Sequence, residues 1–339
     1  MTRALLPLGA LAAMLALSGC GGTSTTTGTP HAGAQRTSRS AAPPSTPGKP
    51  PATAFTPHRA SARTVSWHLP VPTARQAVAA SSADHLVLAG GMVAGDSSTD
   101  QVWSISLPGG RARRLPALAV PVHDAAGGSY AGAPAVFGGG NATEQSLVQA
   151  LHGSAWSRVD TLPTTRSDLS VVEAGRRTLV LGGYDGSAVP RSVLAQQGSG
   201  RLRVVGRLAH GVRYAAATVL GGSAYVLGGE VAGHELDTVQ RVDLRTGRTR
   251  VVAHLPVATG HAMAVTEGDR ILLMGGRTSS TASTARMWWY DPASARFSRA
   301  GSLPRPLSDA AVVRRGRDCY LLGGEDPGVT DRVVRVSVS

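Results

Sequence analysis

Six polar residues recur at one phase of this chain: Gln76, Asp124, Asp168, Tyr214, His261 and Asp309 each stand fourteen residues before a pair of adjacent glycines. The position after each reads Ala, Ala, Leu, Ala, Ala, Ala. Just behind the glycine pairs come Tyr184-Asp185, Glu230, Arg277 and Glu325-Asp326, and Arg213 precedes Tyr214. Carboxylates, one imidazole and guanidinium groups gathered at one place suit a polar, hydrogen-bonding ligand such as a sugar or an extended peptide better than an apolar one. A carboxylate pair such as Asp124 with Asp168 could also share a proton or hold a cation. Replacing Asp168 or His261 is expected to cost ligand affinity and to leave stability nearly unchanged.

What must position these residues is a repeat. The first glycine of each pair falls at 90, 138, 182, 228, 275 and 323, a spacing of 44 to 48 residues. Each pair ends an apolar run, Leu86 to Gly91 and Tyr320 to Gly324 among them. A second marker leads each pair by 20 to 23 residues: Leu69-Pro70, Leu115-Pro116, Leu162-Pro163, Leu208-Ala209, Leu255-Pro256 and Leu303-Pro304. Two markers locked in phase six times, with strand-like runs between them, point to the blades of a propeller. Small residues such as Ala77 to Ala80, Ala125 to Gly128 and Ala310-Ala311 hold equivalent places before the glycines, as crowded strands around a central axis require. Leu179-Val180-Leu181 is apolar throughout, as expected of a strand covered on both faces.

The double-glycine strand, a downstream aromatic such as Trp103 or Tyr290, and the following Leu-Pro resemble Kelch repeats from about residue 64 to the end. The third unit lacks the aromatic, and Leu208-Ala209 departs from Leu-Pro. The resemblance implies an all-β, six-bladed Kelch-type β-propeller over residues 63–339, with four strands to a blade and the polar ring at the mouth of the central channel. After Gly324 only one more strand fits, Arg332 to Val338, so Arg63 to His68 is expected to supply the outer strand of the last blade and close the ring. Cys319, four residues before a glycine pair, reads as a core residue. Arg176-Arg177, Arg245, Arg248 and Arg314-Arg315-Arg317 fall at turns expected on the face opposite the mouth, where arginines can meet anionic lipid.

The start of the chain carries a different signal. Arg3 precedes an apolar run from Ala4 to Leu17, too short to span a bilayer, which ends in Leu17-Ser18-Gly19-Cys20. This resembles the lipobox of bacterial lipoproteins and implies a signal peptide over residues 1–19 and diacylglycerol on Cys20. Residues 20–62 are then a disordered Gly/Ser/Thr/Pro/Ala tether, with almost no large apolar side chain to offset the entropy of ordering. As a flexible coil such a segment spans roughly 35 Å on average. The expected address is the extracytoplasmic face of the cell membrane, reached through the lipid.

Composition narrows the function. The 42 Gly and 21 Pro suit short strands and turns, and the net charge of +13 rests on 33 Arg and one Lys, Lys49. No helix-turn-helix, zinc knuckle or interleaved Arg and aromatic stripe supports a nucleic-acid partner. Phosphate loops, metal-spaced His pairs, nucleophile elbows and sialidase Asp-boxes are absent from the sequence, and nothing calls for a cofactor. The copper-radical oxidases among Kelch-like enzymes use a Tyr-His pair, which this chain lacks. The leading expectation is a membrane-anchored module that binds a protein or glycan through the mouth. The alternative is a sugar mutarotase or epimerase resembling the sialic-acid Kelch enzymes, with Asp, His and Arg at the mouth moving a proton.

Overall fold

Five inner strands are each followed by three antiparallel neighbours and the sixth by two, and the six four-stranded sheets that result are the blades of a propeller. The structure, a computed structural model, describes residues 58–82 and 84–339. Cys20, the signal peptide and most of the expected tether lie outside those residues. Blade one contains Ala77–Ser81, His85–Ala89, Val102–Ser106 and Ala112–Leu115, and blades two to five repeat this order outward from the axis. The described residues contain no helix. The fold is the expected six-bladed Kelch-type propeller.

Blade six is built from both ends of the chain. Its inner strands, Ala311–Arg315, Asp318–Leu322 and Val333–Val338, are completed by Ala60–Thr64, which runs antiparallel to the last strand from Ala60 opposite Val338 to Thr64 opposite Val334. The clasp is present, but its strand lies earlier than Arg63 to His68. Trp67 falls beyond it, packed over Gly110 of blade one with its indole N–H donating to the Pro108 carbonyl at 2.8 Å. The indole fills the gap between blades six and one just past the closing strand, and not within it as the expected span of Arg63 to His68 implies.

The apolar residues sort into six clusters, one in each gap between neighbouring blades. Trp289 and Met274 of blade five meet Cys319 and Leu321 of blade six, for example. Cys319 is a core residue as expected: its thiol is 3.8 Å from the Met274 sulfur, and burial pushes its pKa up to about 12. Blade three lacks the downstream aromatic, and its contact with blade four is built from Leu, Val and Ala.

The glycine pairs latch blade to blade. The second glycine of each pair donates its N–H to the next blade: Gly91 to Val122, Gly139 to Arg166, Gly183 to Val212, Gly229 to Thr259, Gly276 to Leu307 and, across the closure, Gly324 to Thr73, all at 2.8 to 3.0 Å. The first glycine faces the same carbonyl so closely that a Cβ would come within 2.0 to 2.6 Å of it. Both glycines hold positive φ. Only a residue without a side chain meets both demands.

Candidate functional site

The mouth is organised by a backbone ring. Arg75, Asp124, Asp168, Tyr214, His261 and Asp309 all adopt left-handed φ, between 52° and 58°, at the start of the six inner strands. Five of these residues donate their N–H to the carbonyl of the ring residue before them: Asp168 to Asp124, Tyr214 to Asp168, His261 to Tyr214, Asp309 to His261 and Arg75 to Asp309. Left-handed backbone is costly for residues with a Cβ, and here the ring of interblade hydrogen bonds holds it in place.

The sixth member is Arg75, and not Gln76 as the fourteen-residue spacing predicts. Blade one carries a bulge between Val78 and Ala80, which adds one residue to the inner strand and shifts the count. Gln76 consequently sits one step down the channel, level with Ala125 and Ala310: its Cγ faces Gly91 as their Cβ atoms face Gly139 and Gly324. The flanking position is therefore not apolar in all six units.

Residues behind the glycine pairs reach the same point through short bridges. Arg213 pairs with Glu230, Gly260 with Arg277 and Ser308 with Glu325, so each places a charged side chain above its neighbour's ring residue. The result is a dense ionic network. Arg75 reaches Asp124 at 3.1 Å and Glu325 at 3.0 Å, with Asp309 at 3.9 Å. Arg277 contacts Asp309 at 3.0 Å and also Glu325. His261 lies between two acids, with Nδ1 2.6 Å from Asp309 and Nε2 3.5 Å from Glu230. The Tyr214 ring stacks on the imidazole at 3.8 Å, and Arg213 and Arg75 lie 4.6 and 5.7 Å from the Tyr214 centroid. Arg213 also faces Asp168, Nε to Oδ2 at 2.8 Å, as an ion contact without hydrogen-bond alignment.

Burial sets the protonation of these groups. Desolvation raises Asp124 and, with the nearby Asp124 charge, pushes Asp168 up to about 7, against the pull of Arg213. Asp309 is as deeply buried, but the hydrogen bond and charge of His261, with Arg75 and Arg277, more than offset desolvation and hold it below the usual range. His261 is raised: burial opposes its charge, and hydrogen bonds to Asp309 and Glu230 prevail. The hydrogen bond from His261 is the chief reason that Glu230 is lowered. With one ring carboxyl near 7 and another held below the usual range, the mouth has a group that can accept and release a proton near neutrality.

The ten residues expected from sequence gather at this end of the channel: six line the depression, with Gln76 displaced inward, and Arg213, Glu230, Arg277 and Glu325 contact the ring from above. Asp168, His261 and Asp309 are too buried for their replacement to be neutral to stability, contrary to the expectation for Asp168 and His261. Arg75 was missed because the bulge hid it. His123 was missed too: its Nε2 is 3.6 Å from Asp124 and its Nδ1 2.7 Å from the Ser98 hydroxyl. Its position directly before a ring aspartate was the available signal. Among the described residues no group of three or more His, Cys, Asp or Glu is arranged to hold a metal.

The network overlies a depression of about 120 Å³, beneath which a channel of about 750 Å³ is lined by Ala, Gly and Val of the inner strands. Arg314, expected among the arginines opposite the mouth, sits near that end of its inner strand and also lines the channel: its half-exposed guanidinium grips the buried Glu267 with two hydrogen bonds of 2.6 and 3.1 Å.

No family model matches the chain. It is 27% identical over 177 residues to Kelch-like protein 35 of Mus musculus, a stretch that covers 52% of this chain and 30% of that protein. The chain thus spans about a third of the length of the curated relative it matches. Its fold superimposes on the solved structure of YjhT with a TM-score of 0.70 at 15% identity, over 80% of this chain and 99% of the other.

Proposed function

We propose that this propeller is an extracytoplasmic binding module, anchored to the membrane through lipid on Cys20, that takes a polar segment of a protein or glycan into its mouth. One observation carries the reading. The rim groups Arg213, Glu230, Arg277 and Glu325 keep between 14 and 25% of their side chains open to solvent while each is held by a buried ring residue or by another rim group on a neighbouring blade. Donors and acceptors fixed before a ligand arrives lose little freedom on binding. A screen of glycans and envelope proteins against the chain tests this, with Arg213→Ala and Glu230→Ala as reporters. Each should weaken a true mouth ligand about ten- to hundred-fold, the usual cost of one charged hydrogen bond. Ligands that bind both variants as well as wild type would remove the mouth from consideration.

A second reading follows from Asp168. A buried carboxyl with a pKa near 7, beside Arg213 and the Asp124 carboxylate, could pass a proton to and from a sugar during ring opening, as the alternative mutarotase reading requires. Anomer interconversion of N-acetylneuraminic acid followed by NMR distinguishes the readings. Acceleration lost in Asp168→Asn favours the enzyme, and binding without acceleration favours the module.

A further inference from the structure

The outer hairpin of blade four, at the end away from the mouth, collects four arginines around a single acid, Asp243, whose charge Arg245 feels. Its strands Thr238–Asp243 and Thr249–His254 pair so that Arg241 stands directly opposite Arg250. Like charges in that arrangement are unfavourable, and sheets ordinarily place an opposite charge or a neutral residue there. The turn between them adds Arg245 and Arg248. Together the four arginines line a groove of about 470 Å³.

Asp243 is the one acid in the groove lining, and the turn already uses it. Its Oδ1 accepts from the N–H of Arg245, the N–H of Thr246 and the Thr246 hydroxyl, at 3.0, 2.8 and 2.9 Å. Arg241 is held by a neutral partner, donating from Nε to the Ser223 hydroxyl at 2.8 Å. Among the described residues no carboxylate lies within ion-pair distance of these four guanidinium groups. Some arginines elsewhere do meet an acid, as with Arg335 and Asp318 at 2.7 Å or Arg305 and Asp326 at 2.8 Å, whereas these four share one groove with none in ion-pair reach.

We infer that this groove is an anion site for phosphate groups. Planar guanidinium forks match tetrahedral oxyanions, and a bound anion removes the repulsion between Arg241 and Arg250. The hairpin also shares its end of the propeller with the entry of the chain, where His58 donates to the Ser339 carbonyl. Phosphate presented by anionic lipid headgroups and phosphate on a soluble polyanion are both within its chemistry. The inference does not depend on what the mouth binds.

The test uses the full chain in non-ionic detergent, titrated with inorganic polyphosphate, and the same chain in vesicles of phosphatidylglycerol or of phosphatidylcholine. Hydrogen exchange across residues 242–250 is the readout in every arm. Polyphosphate should protect the hairpin with an affinity that falls as salt rises. Protection by phosphatidylglycerol and not by phosphatidylcholine identifies the headgroup as a source, and protection by polyphosphate alone identifies a soluble one. The Arg245→Gln/Arg248→Gln variant should weaken either about ten-fold or more, and Arg113→Gln, an exposed arginine on blade one, should change nothing. Arg250→Glu places an acid opposite Arg241, so it should melt no lower than wild type while losing the anion. Absence of protection in all arms, or protection undiminished in these groove variants, would overturn the assignment.

Discussion

Nδ1 of His261 lies 2.6 Å from Oδ1 of Asp309, and the two residues occupy the same left-handed position on adjacent blades. The pair spans a blade boundary at the mouth, so its protonation contributes to closing the ring. His261 is raised above 6.5, so its contribution is complete below that value and is lost as pH rises through the folded-state pKa. Asp309 is lowered below 3.8, so its contribution holds above that value and is lost as pH falls through the folded-state pKa. His261→Gln should therefore destabilise the domain by about 1.5–3 kcal/mol at pH 6. Melting curves of both proteins should converge as the pH is taken to 9, and a gap that grows with pH would contradict the pairing.

Asp168 behaves in the opposite sense to Asp309. With its pKa pushed up to about 7 from 3.8, the folded state holds a proton that the unfolded chain has released, and stability falls as pH rises between those values. Asn carries no such dependence. Relative to wild type, Asp168→Asn should gain melting temperature between pH 5 and pH 8, by at least roughly 2–4 °C, the shift that about 1 kcal/mol makes in a large domain. Parallel pH profiles would show that Asp168 is ionised throughout.

The closing strand makes a prediction about truncation. A chain begun at His58 retains Ala60–Thr64, whereas one begun at Val65 leaves Val333–Val338 as an open edge and removes Ala60 from the core between blades five and six. The shorter chain should melt well below the longer one and associate through the exposed edge. Calorimetry with size-exclusion chromatography compares the two, and equal melting of monomers would dismiss the clasp.

Gly127 tests the crowding at the axis. A Cβ there would come 2.1 Å from the Val78 carbonyl oxygen on the neighbouring inner strand, which is backbone and cannot rotate away. Gly127→Ala should cost about 1–3 kcal/mol or more. At Gly132, which has positive φ but open space around it, the same change should cost only the conformational strain of roughly 1–2 kcal/mol. Thermal melts of the two variants should rank them in that order.

The proposed anchor is tested at Cys20. Cys20→Ser leaves no thiol ahead of the propeller, since Cys319 is the other cysteine of the chain. Metabolic labelling with a fatty-acid probe should mark the wild type and not the variant, and the variant should leave the detergent fraction. Equal labelling would place the lipid elsewhere or nowhere.

How far the fold was legible follows from where its determinants lie. The Gly-Gly pair recurs six times, and the marker ahead of it is Leu-Pro five times and Leu208-Ala209 once, so the period announces six blades wherever the repeats end up. The clasp was legible for a similar reason: a last repeat short of one strand needs it from somewhere, and the N-terminal end had one to supply. Register was not legible to the residue. The single extra residue in the bulge between Val78 and Ala80 put Arg75 in the place that counting assigns to Gln76, because ring position follows interblade hydrogen bonds and not distance along the chain.

The chemistry of the mouth was decided at a longer range still. The repeat phase by itself determined that acids, arginines, a tyrosine and a histidine would gather at one end of the channel. Which of them pair depends on contacts such as Arg75 with Glu325, 250 residues apart in sequence and 3.0 Å apart in space. The same holds for protonation: Asp168 and Asp309 are the same residue at the same repeat position, yet one is raised by burial beside Asp124 and the other lowered by His261. Sequence places a carboxyl at each site, and only the packed ring sets how much water and which opposite charge each one meets, which is what fixes whether it holds its proton.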